Sequence, residues 1–194
     1  MTRVVLATAN PDKAREMREI LVGVDLELVT RPPEVSEVVE DGDTLAANAL
    51  KKARALVAAT GDAALSDDTG LFVDALDGEP GIYAARYAGE DATYADNVNK
   101  LLQAMTSTEP SRRTAQFVTV VALVYPDGRE IVAEGALQGR IGTAPVGEYG
   151  FGYDPVFVPD DNDGRTLAQL TASEKSACSH RGRALRALLE LVRL

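Results

Sequence analysis

Three groups of residues in this chain have types and spacings suited to chemistry. The first is Thr8-Ala9-Asn10-Pro11-Asp12-Lys13, which joins a β-branched apolar run at residues 3–8 to a segment with Ala14, Met17, Ile20 and Leu21 at helical spacing. A strand end that turns directly into a helix start aims free backbone amides and the helix dipole at one place, and that favours an anion such as phosphate. Asn10 suits the N-cap and Pro11 the first turn, so the same residues also read as an ordinary capped helix. The paired glycines and the Lys-Ser/Thr of a P-loop are missing.

The second group is Asp67-Asp68, placed by the pattern at the end of an apolar strand over residues 63–66. Adjacent carboxylates repel each other there unless a cation is near. Mg²⁺ takes one or two protein carboxylates and fills its shell with water and phosphates, so Glu40 or Asp41 from an acidic loop over residues 31–43 could complete such a site. The plainer alternative is a pair of solvated turn carboxylates. Asp68-Thr69-Gly70 matches the aspartic-protease triplet, but one copy in a helix-rich chain does not make the shared-proton dyad of an all-β protease. The phosphatase pattern with aspartates two apart fails because Asp67 and Asp68 are consecutive.

The third group is Phe151-Gly152-Tyr153-Asp154 with Lys175 and His180. An exposed aromatic beside a glycine and a carboxylate can stack on a base and accept from its ring N–H. His180, the only histidine, sits in Ser179-His180-Arg181-Gly182 at a helix start, where its donors could read a carbonyl oxygen. A loop anchor, a cap histidine and a solvated lysine are the ordinary uses of the same residues.

The elements that must position these groups follow from local signals. Residues 12–22 form a helix, 26–30 a short strand, and 44–59 an alanine-rich helix closed by Gly61. Apolar segments 63–66 and 71–73 flank Asp67-Asp68-Thr69-Gly70, and 92–106 reads as a helix. Runs 114–125 and 130–137, separated by Pro126-Asp127-Gly128-Arg129, form a hairpin. Thr171-Ala172-Ser173-Glu174 has capping-box spacing, and 181–192 is a leucine-rich helix started by Ser179. This order predicts an α/β fold with a mixed sheet, in one domain or two small lobes around a cleft.

Composition narrows the function further. The chain has 194 residues, 45% of them hydrophobic and 26% charged, which is enough for a sizeable core and excludes a disordered tail. The net charge is −10, and the whole excess lies in residues 1–97, with 9 Lys and Arg against 19 Asp and Glu. With no basic stripe to compensate, nucleic acid is a poor partner, while a small anion remains possible where lysines and a divalent cation converge. Cys178 is the only cysteine, which excludes an intrachain disulfide and a thiolate cluster. No stretch approaches the roughly 20 apolar residues of a membrane span, and residues 4–9 are too short for a signal segment, so the expectation is a soluble, cytoplasmic protein.

None of these signals is specific alone, but their order is. Thr8-Ala9-Asn10-Pro11-Asp12-Lys13, Glu40 before Gly42, Asn48-Ala49-x-x-Lys52-Ala53, Asp67-Asp68-Thr69-Gly70-Leu71, Pro80-Gly81-Ile82-Tyr83-x-x-Arg86-Tyr87, Gly150-Phe151-Gly152-Tyr153-Asp154-Pro155-Val156-Phe157 and Glu174-Lys175-x-x-x-Ser179-His180-Arg181-Gly182 together resemble the inosine triphosphate pyrophosphatase family, in its bacterial XTP/dITP diphosphatase branch. The resemblance runs from residue 3 to about residue 190. It implies a single nucleotide pyrophosphatase domain over residues 1–194, with an elongated mixed sheet flanked by helices and two lobes around a nucleotide-binding cleft. It also implies a homodimer that uses Mg²⁺ to hydrolyse ITP, dITP and XTP to the monophosphate and pyrophosphate. By position, Thr8 to Lys13, Lys52, Arg86 and Lys175 would hold the nucleotide, and Glu40 and Asp68 the Mg²⁺. Asp68 would take the proton of the attacking water, and Thr69, Phe151, Gly152, Tyr153, Asp154, His180 and Arg181 would complete the pocket. Thr69 stands where relatives often carry Ser, and either supplies a hydroxyl. Two alternatives are a pyrophosphatase for pyrimidine or modified bases and a non-catalytic nucleotide sensor.

Overall fold

The apolar run at the start of the chain forms β1 (Thr2–Leu6) in the computed structural model, which describes residues 2–192. Asn10 then caps α1 (Pro11–Ile20), with Pro11 in its first turn. β2 (Leu26–Thr30) returns parallel to β1, and α2 (Leu45–Thr60) runs from its Thr44 cap to Gly61. β3 (Ala63–Val73) pairs parallel with β1 on the other side, in the register Val4↔Ala63 to Leu6↔Leu65. β4 (Pro80–Gly81) is a short antiparallel addition to β3. α3 (Tyr94–Ala104), β5 (Thr114–Val124), β6 (Glu130–Ile141), β7 (Phe157–Pro159), α4 (Ala172–Cys178) and α5 (His180–Val192) complete the described residues.

The expected mixed α/β class is what forms. Seven strands among the described residues make one sheet in the order β2-β1-β3-β5-β6-β7, with β4 on β3. The chain divides into two compact units, each discontinuous in sequence. Unit 1 takes in residues up to Asp68, Thr119–Gly135 and the segment from Arg181 onward; unit 2 takes in Thr69–Val118 and Ala136–His180.

In unit 1 the sheet is covered on both faces, so its strands are apolar on both. Val4, Leu6, Ala63 and Leu65 pack with Met17 of α1 and with Leu185 and Leu188 of α5. Val5, Ala7 and Ala64 point the other way, onto Ala53 and Leu56 of α2. This alternation fixes the strand register, because a one-residue slip would exchange the two faces.

In unit 2 the core gathers Leu71, Val73, Leu101, Met105, Phe117, Leu137, Ile141, Phe157 and Leu167. Arg113 is buried at its edge, and its guanidinium donates to backbone carbonyls: Nε to Ile141 at 2.9 Å, Nη1 to Met105 at 2.8 Å and Nη2 to Gly142 at 2.7 Å.

The short strands β4 and β7 were not expected, but the element that departs most from expectation is β3. Asp67-Asp68-Thr69-Gly70 carries turn-forming residue types, yet the strand runs unbroken through it for 11 residues. Asp67 and Asp68 therefore lie in the middle of a strand, at 1% and 4% exposure, and not at its end.

Replacing Arg113 by Met should cost about 3 kcal/mol, because three buried carbonyls lose a charged donor at once. Urea denaturation measures this, and an unchanged midpoint would mean that water takes the guanidinium's place.

Candidate active site

Asp67 and Asp68 are consecutive in a strand, so their side chains leave it on opposite faces. Asp67 continues the row of Ala63 and Leu65, toward α1 and α5. Asp68 continues the row of Ala64 and Ser66, toward α2, where Ser66 Oγ donates to the Ala49 carbonyl at 2.5 Å.

The Asp67 face is a buried ionic network. Arg181 donates from Nε and Nη2 to Asp67 Oδ2 at 3.1 and 2.9 Å, and from Nη1 to Glu16 of α1. Lys13 Nζ lies 3.3 Å from the same Asp67 oxygen. Burial pushes the Asp67 carboxyl up, but Lys13, Arg181 and Lys52 outweigh it and hold the group well below the usual carboxylate range. Burial dominates at Lys13 and pushes its ammonium down in spite of Asp67.

The Asp68 face is built by α2. Asn48 and Lys52 are four residues apart and share one side of the helix. Asn48 Nδ2 donates to Asp68 Oδ2 at 3.1 Å, and Lys52 Nζ lies 3.3 Å from Asp68 Oδ1 and 2.6 Å from Glu40 Oε1. Burial, reinforced by Glu40, pushes the Asp68 carboxyl up against the pull of Lys52, Lys13 and Asn48. Glu40 is held there by its own loop. The Gly42 N–H donates to Asn48 Oδ1 at 2.8 Å, and a Cβ at Gly42 would come within 2.7 Å of that oxygen, so a larger residue would push the Asn48 side chain aside. Lys51 and Asp41 form an ion pair outside it.

Glu40 and Asp68 both direct an oxygen at the Lys52 ammonium, and such carboxylate oxygens are also the donor type that Mg²⁺ takes, an ion content with two carboxylates plus water and phosphate. No group of three or more His, Cys, Asp or Glu suited to a metal occurs among the described residues. At the start of α1 the Asn10 side chain accepts from the amides of Asp12 and Lys13 at 2.9 and 3.3 Å, and Thr8 Oγ1 accepts from the Asn10 amide at 3.1 Å. Those amides are satisfied by the chain itself, which leaves the Lys13 ammonium and the helix dipole as the main attractions for an anion.

Unit 2 holds the aromatic loop. Asp154 is buried and accepts from the Phe151 amide at 2.7 Å and from Lys175 Nζ. The Lys175 ammonium lies 4.7 Å from the centroid of the half-buried Phe151 ring, and Tyr94 is 5.7 Å from it. Gly150 has φ +73°, and a Cβ there would sit 2.1 Å from Asp154 Oδ2, so this loop needs glycine on both counts. His180 is buried and stacks on Phe117 at 4.5 Å. Arg86 ends a short 3₁₀ turn, 3.5 Å from Glu90. Thr69 follows Asp68 directly in β3.

The sequence profile of the Ham1 family matches residues 4–191. The chain belongs to the Ham1 family. It is 50% identical to the dITP/XTP pyrophosphatase of Symbiobacterium thermophilum over 97% of this chain and 93% of the relative, and 47% identical to that of Streptomyces coelicolor over 100% and 98%. Among solved structures, a HAM1 protein from Coxiella burnetii superposes with a TM-score of 0.89 at 38% identity, covering 100% and 99% of the two chains. The dITP/XTP pyrophosphatase of Mycobacterium abscessus superposes at 0.76 with 46% identity, covering 97% and 99%.

Lys13, Glu40, Lys52, Asp67, Asp68 and Arg181 are linked by ion pairs along β3 in unit 1, and Phe151, Asp154 and Lys175 touch one another in unit 2, where His180 stacks on Phe117. Three side chains have surroundings that their motifs do not reveal. Asp67 faces away from Asp68 and has two cations of its own. Arg181 is 2% exposed and directs three of its guanidinium N–H groups to Asp67 and Glu16. Tyr153 is a core residue whose hydroxyl donates to the Ala84 carbonyl at 2.8 Å.

Two residues that touch these groups were given no role by the sequence reading. Asn48 had a visible signal, its four-residue spacing from Lys52, whereas Glu16 pairs with a residue 165 positions away, which no local pattern reveals.

Asp67→Asn should cost about 3 kcal/mol, since it removes the charged partner of the buried Arg181 and of the partly buried Lys13. A depressed carboxyl adds stability above its unfolded pKa of about 4, and that stability is lost as pH falls from there. Asp68, pushed up, acts with the opposite sign, so the comparison needed is between the wild type and Asp67→Asn in urea melts from neutral to acid pH. The variant should lose less stability below about pH 4; parallel curves would contradict the network.

Proposed function

We propose that this chain is a nucleoside-triphosphate pyrophosphatase that hydrolyses the non-standard purine nucleotides dITP, XTP and ITP to the monophosphate and pyrophosphate. The reading rests on one observation above all. Asp68 is a buried carboxylate with raised basicity, its two oxygens oriented by Lys52 and Asn48, in a chain half identical to a dITP/XTP pyrophosphatase over nearly its whole length.

In this account Lys13 and Lys52 draw the triphosphate to unit 1, and the dipole of α1 adds to their attraction. Glu40 and Asp68 hold Mg²⁺, whose charge offsets that of the phosphates when it is bound. Asp68 accepts a proton from the water that attacks the α-phosphorus; the new P–O bond forms as the bond to the β-phosphate oxygen breaks, and pyrophosphate leaves. Burial makes the carboxylate a better base than an exposed aspartate, which suits this task. Asp67 keeps Lys13 and Arg181 charged and in place without touching the reacting atoms.

Phe151, Asp154, Lys175 and His180 are the residues proposed for the base. The Phe151 ring, fixed by Asp154 and Lys175, offers a stacking surface, and His180 with backbone amides offers donors for a 6-keto oxygen. An adenine would present a 6-amino donor there and leave buried groups unpaired, at a cost in rate of up to ~10⁴. Guanine keeps the 6-keto group, so GTP is the strongest competitor among the common nucleotides. Removal of such triphosphates keeps aberrant bases out of DNA and RNA. The enzyme works in this account as a cytoplasmic homodimer; among the described residues no helix is long and apolar enough to cross a membrane.

Incubation with ITP, XTP, dITP and the four common ribonucleotides in Mg²⁺ tests the substrate class. Pyrophosphate and monophosphate should form from the first three, with GTP next. Release of inorganic phosphate, a pyrimidine preference or intact bound nucleotide would overturn the reading. Asp68→Asn should lower turnover by about 10²–10⁴ while the protein stays folded. Wild-type turnover in that variant would remove Asp68 from the chemistry.

A further inference from the structure

Lys52 occupies the position at which Glu40 and Asp68 would meet a metal ion. Its ammonium is 2.6 Å from Glu40 Oε1 and 3.3 Å from Asp68 Oδ1, while the other Asp68 oxygen accepts from Asn48. The lysine is buried, and α2 fixes its origin because Asn48, one turn earlier, is bonded to both Gly42 and Asp68. Glu40 and Asp68 also pull the Lys52 ammonium toward the charged state, against burial. The pair of carboxylates therefore has a resident counter-ion belonging to the protein.

A divalent cation on the same oxygens would stand within a few ångströms of that ammonium, in a buried setting where like charges are poorly screened. One must yield to the other. Lys13 pairs with Asp67 at 3.3 Å, and its charge also acts on Asp68, but Lys52 is the ammonium in contact with both Glu40 and Asp68.

We propose that Lys52 keeps the Glu40–Asp68 pair closed to metal until the phosphates of a nucleotide accept its ammonium. This rests on the preceding assignment of Glu40 and Asp68 as the metal ligands. Metal and nucleotide then bind with mutual reinforcement: each phosphate contact made by Lys52 frees a carboxylate oxygen, and each metal contact drives Lys52 toward phosphate. The free enzyme holds metal weakly, and the productive partner is the metal–nucleotide complex.

The test is direct binding of Mn²⁺ alone, counted by the free-ion electron paramagnetic resonance signal, without nucleotide and independent of turnover. Lys52→Gln should bind Mn²⁺ about tenfold or more tightly than the wild type. Lys52→Arg, which keeps the charge, should bind it as weakly as the wild type. Adding Asp68→Asn to Lys52→Gln should abolish the gain. Equal or weaker binding by Lys52→Gln, including no binding by either protein, overturns the proposal. If binding is equal but still lost with Asp68→Asn, the metal assignment stands and only the role of Lys52 falls; if binding ignores Asp68 altogether, both fall. Should Lys52→Gln fail to fold, the wild type decides. The Lys52 side-chain ¹³C resonance should move in step with Mg²⁺ occupancy, and a resonance that stays still at full occupancy contradicts the proposal.

Discussion

Two adjacent aspartates in one buried strand are tolerable only because strand geometry sends them to opposite faces, and the rest of unit 1 is arranged around that constraint. Each face must bring its own positive charge, since an uncompensated carboxylate at this depth costs several kcal/mol (about 3–5 when a partner is removed). On one face α1 and α5 deliver Lys13 and Arg181; on the other α2 delivers Lys52 and Asn48. Three helices are thereby held to one strand by ionic contacts as well as by the apolar rows around Val4, Leu6 and Ala64.

The same constraint separates stability from chemistry. Asp67 is over-compensated, stays ionised and anchors its face. Asp68 is under-compensated, with a raised pKa, and so keeps basicity available for a proton. Two identical side chains, one residue apart, acquire different properties from their surroundings alone. In unit 2 the buried Asp154 has an anchoring role like that of Asp67, holding Phe151 and Lys175 as a preformed surface.

What the sequence disclosed was mainly local. Asn10-Pro11, Thr44 with Gly61, the Thr171–Glu174 capping box and the 126–129 turn all stand where their chemistry put them, because each is decided by residues within a few positions. The order of motifs likewise sufficed to reach the family. The Asp67-Asp68-Thr69-Gly70 segment misled because Asp and Gly favour turns when exposed, whereas here distant helices supply the cations that make a buried strand possible. The surroundings of Arg181 and Tyr153 were hidden for a related reason: a motif shows residue type and not burial, and both side chains bond to partners far away in sequence. Glu16, on which Arg181 also depends, carries no motif signal at all.

The division of labour between the two aspartates can be measured at the carboxyl groups themselves. Carbon-13 NMR of the aspartate side chains, assigned with the two Asn variants and followed from neutral to acid pH, should show Asp67 ionised to the lowest pH at which the protein stays folded. Asp68 should titrate above the ordinary aspartate value of about 3.9. Titration of both together near that value, or in the reverse order, would contradict the two-faced strand on which the account rests.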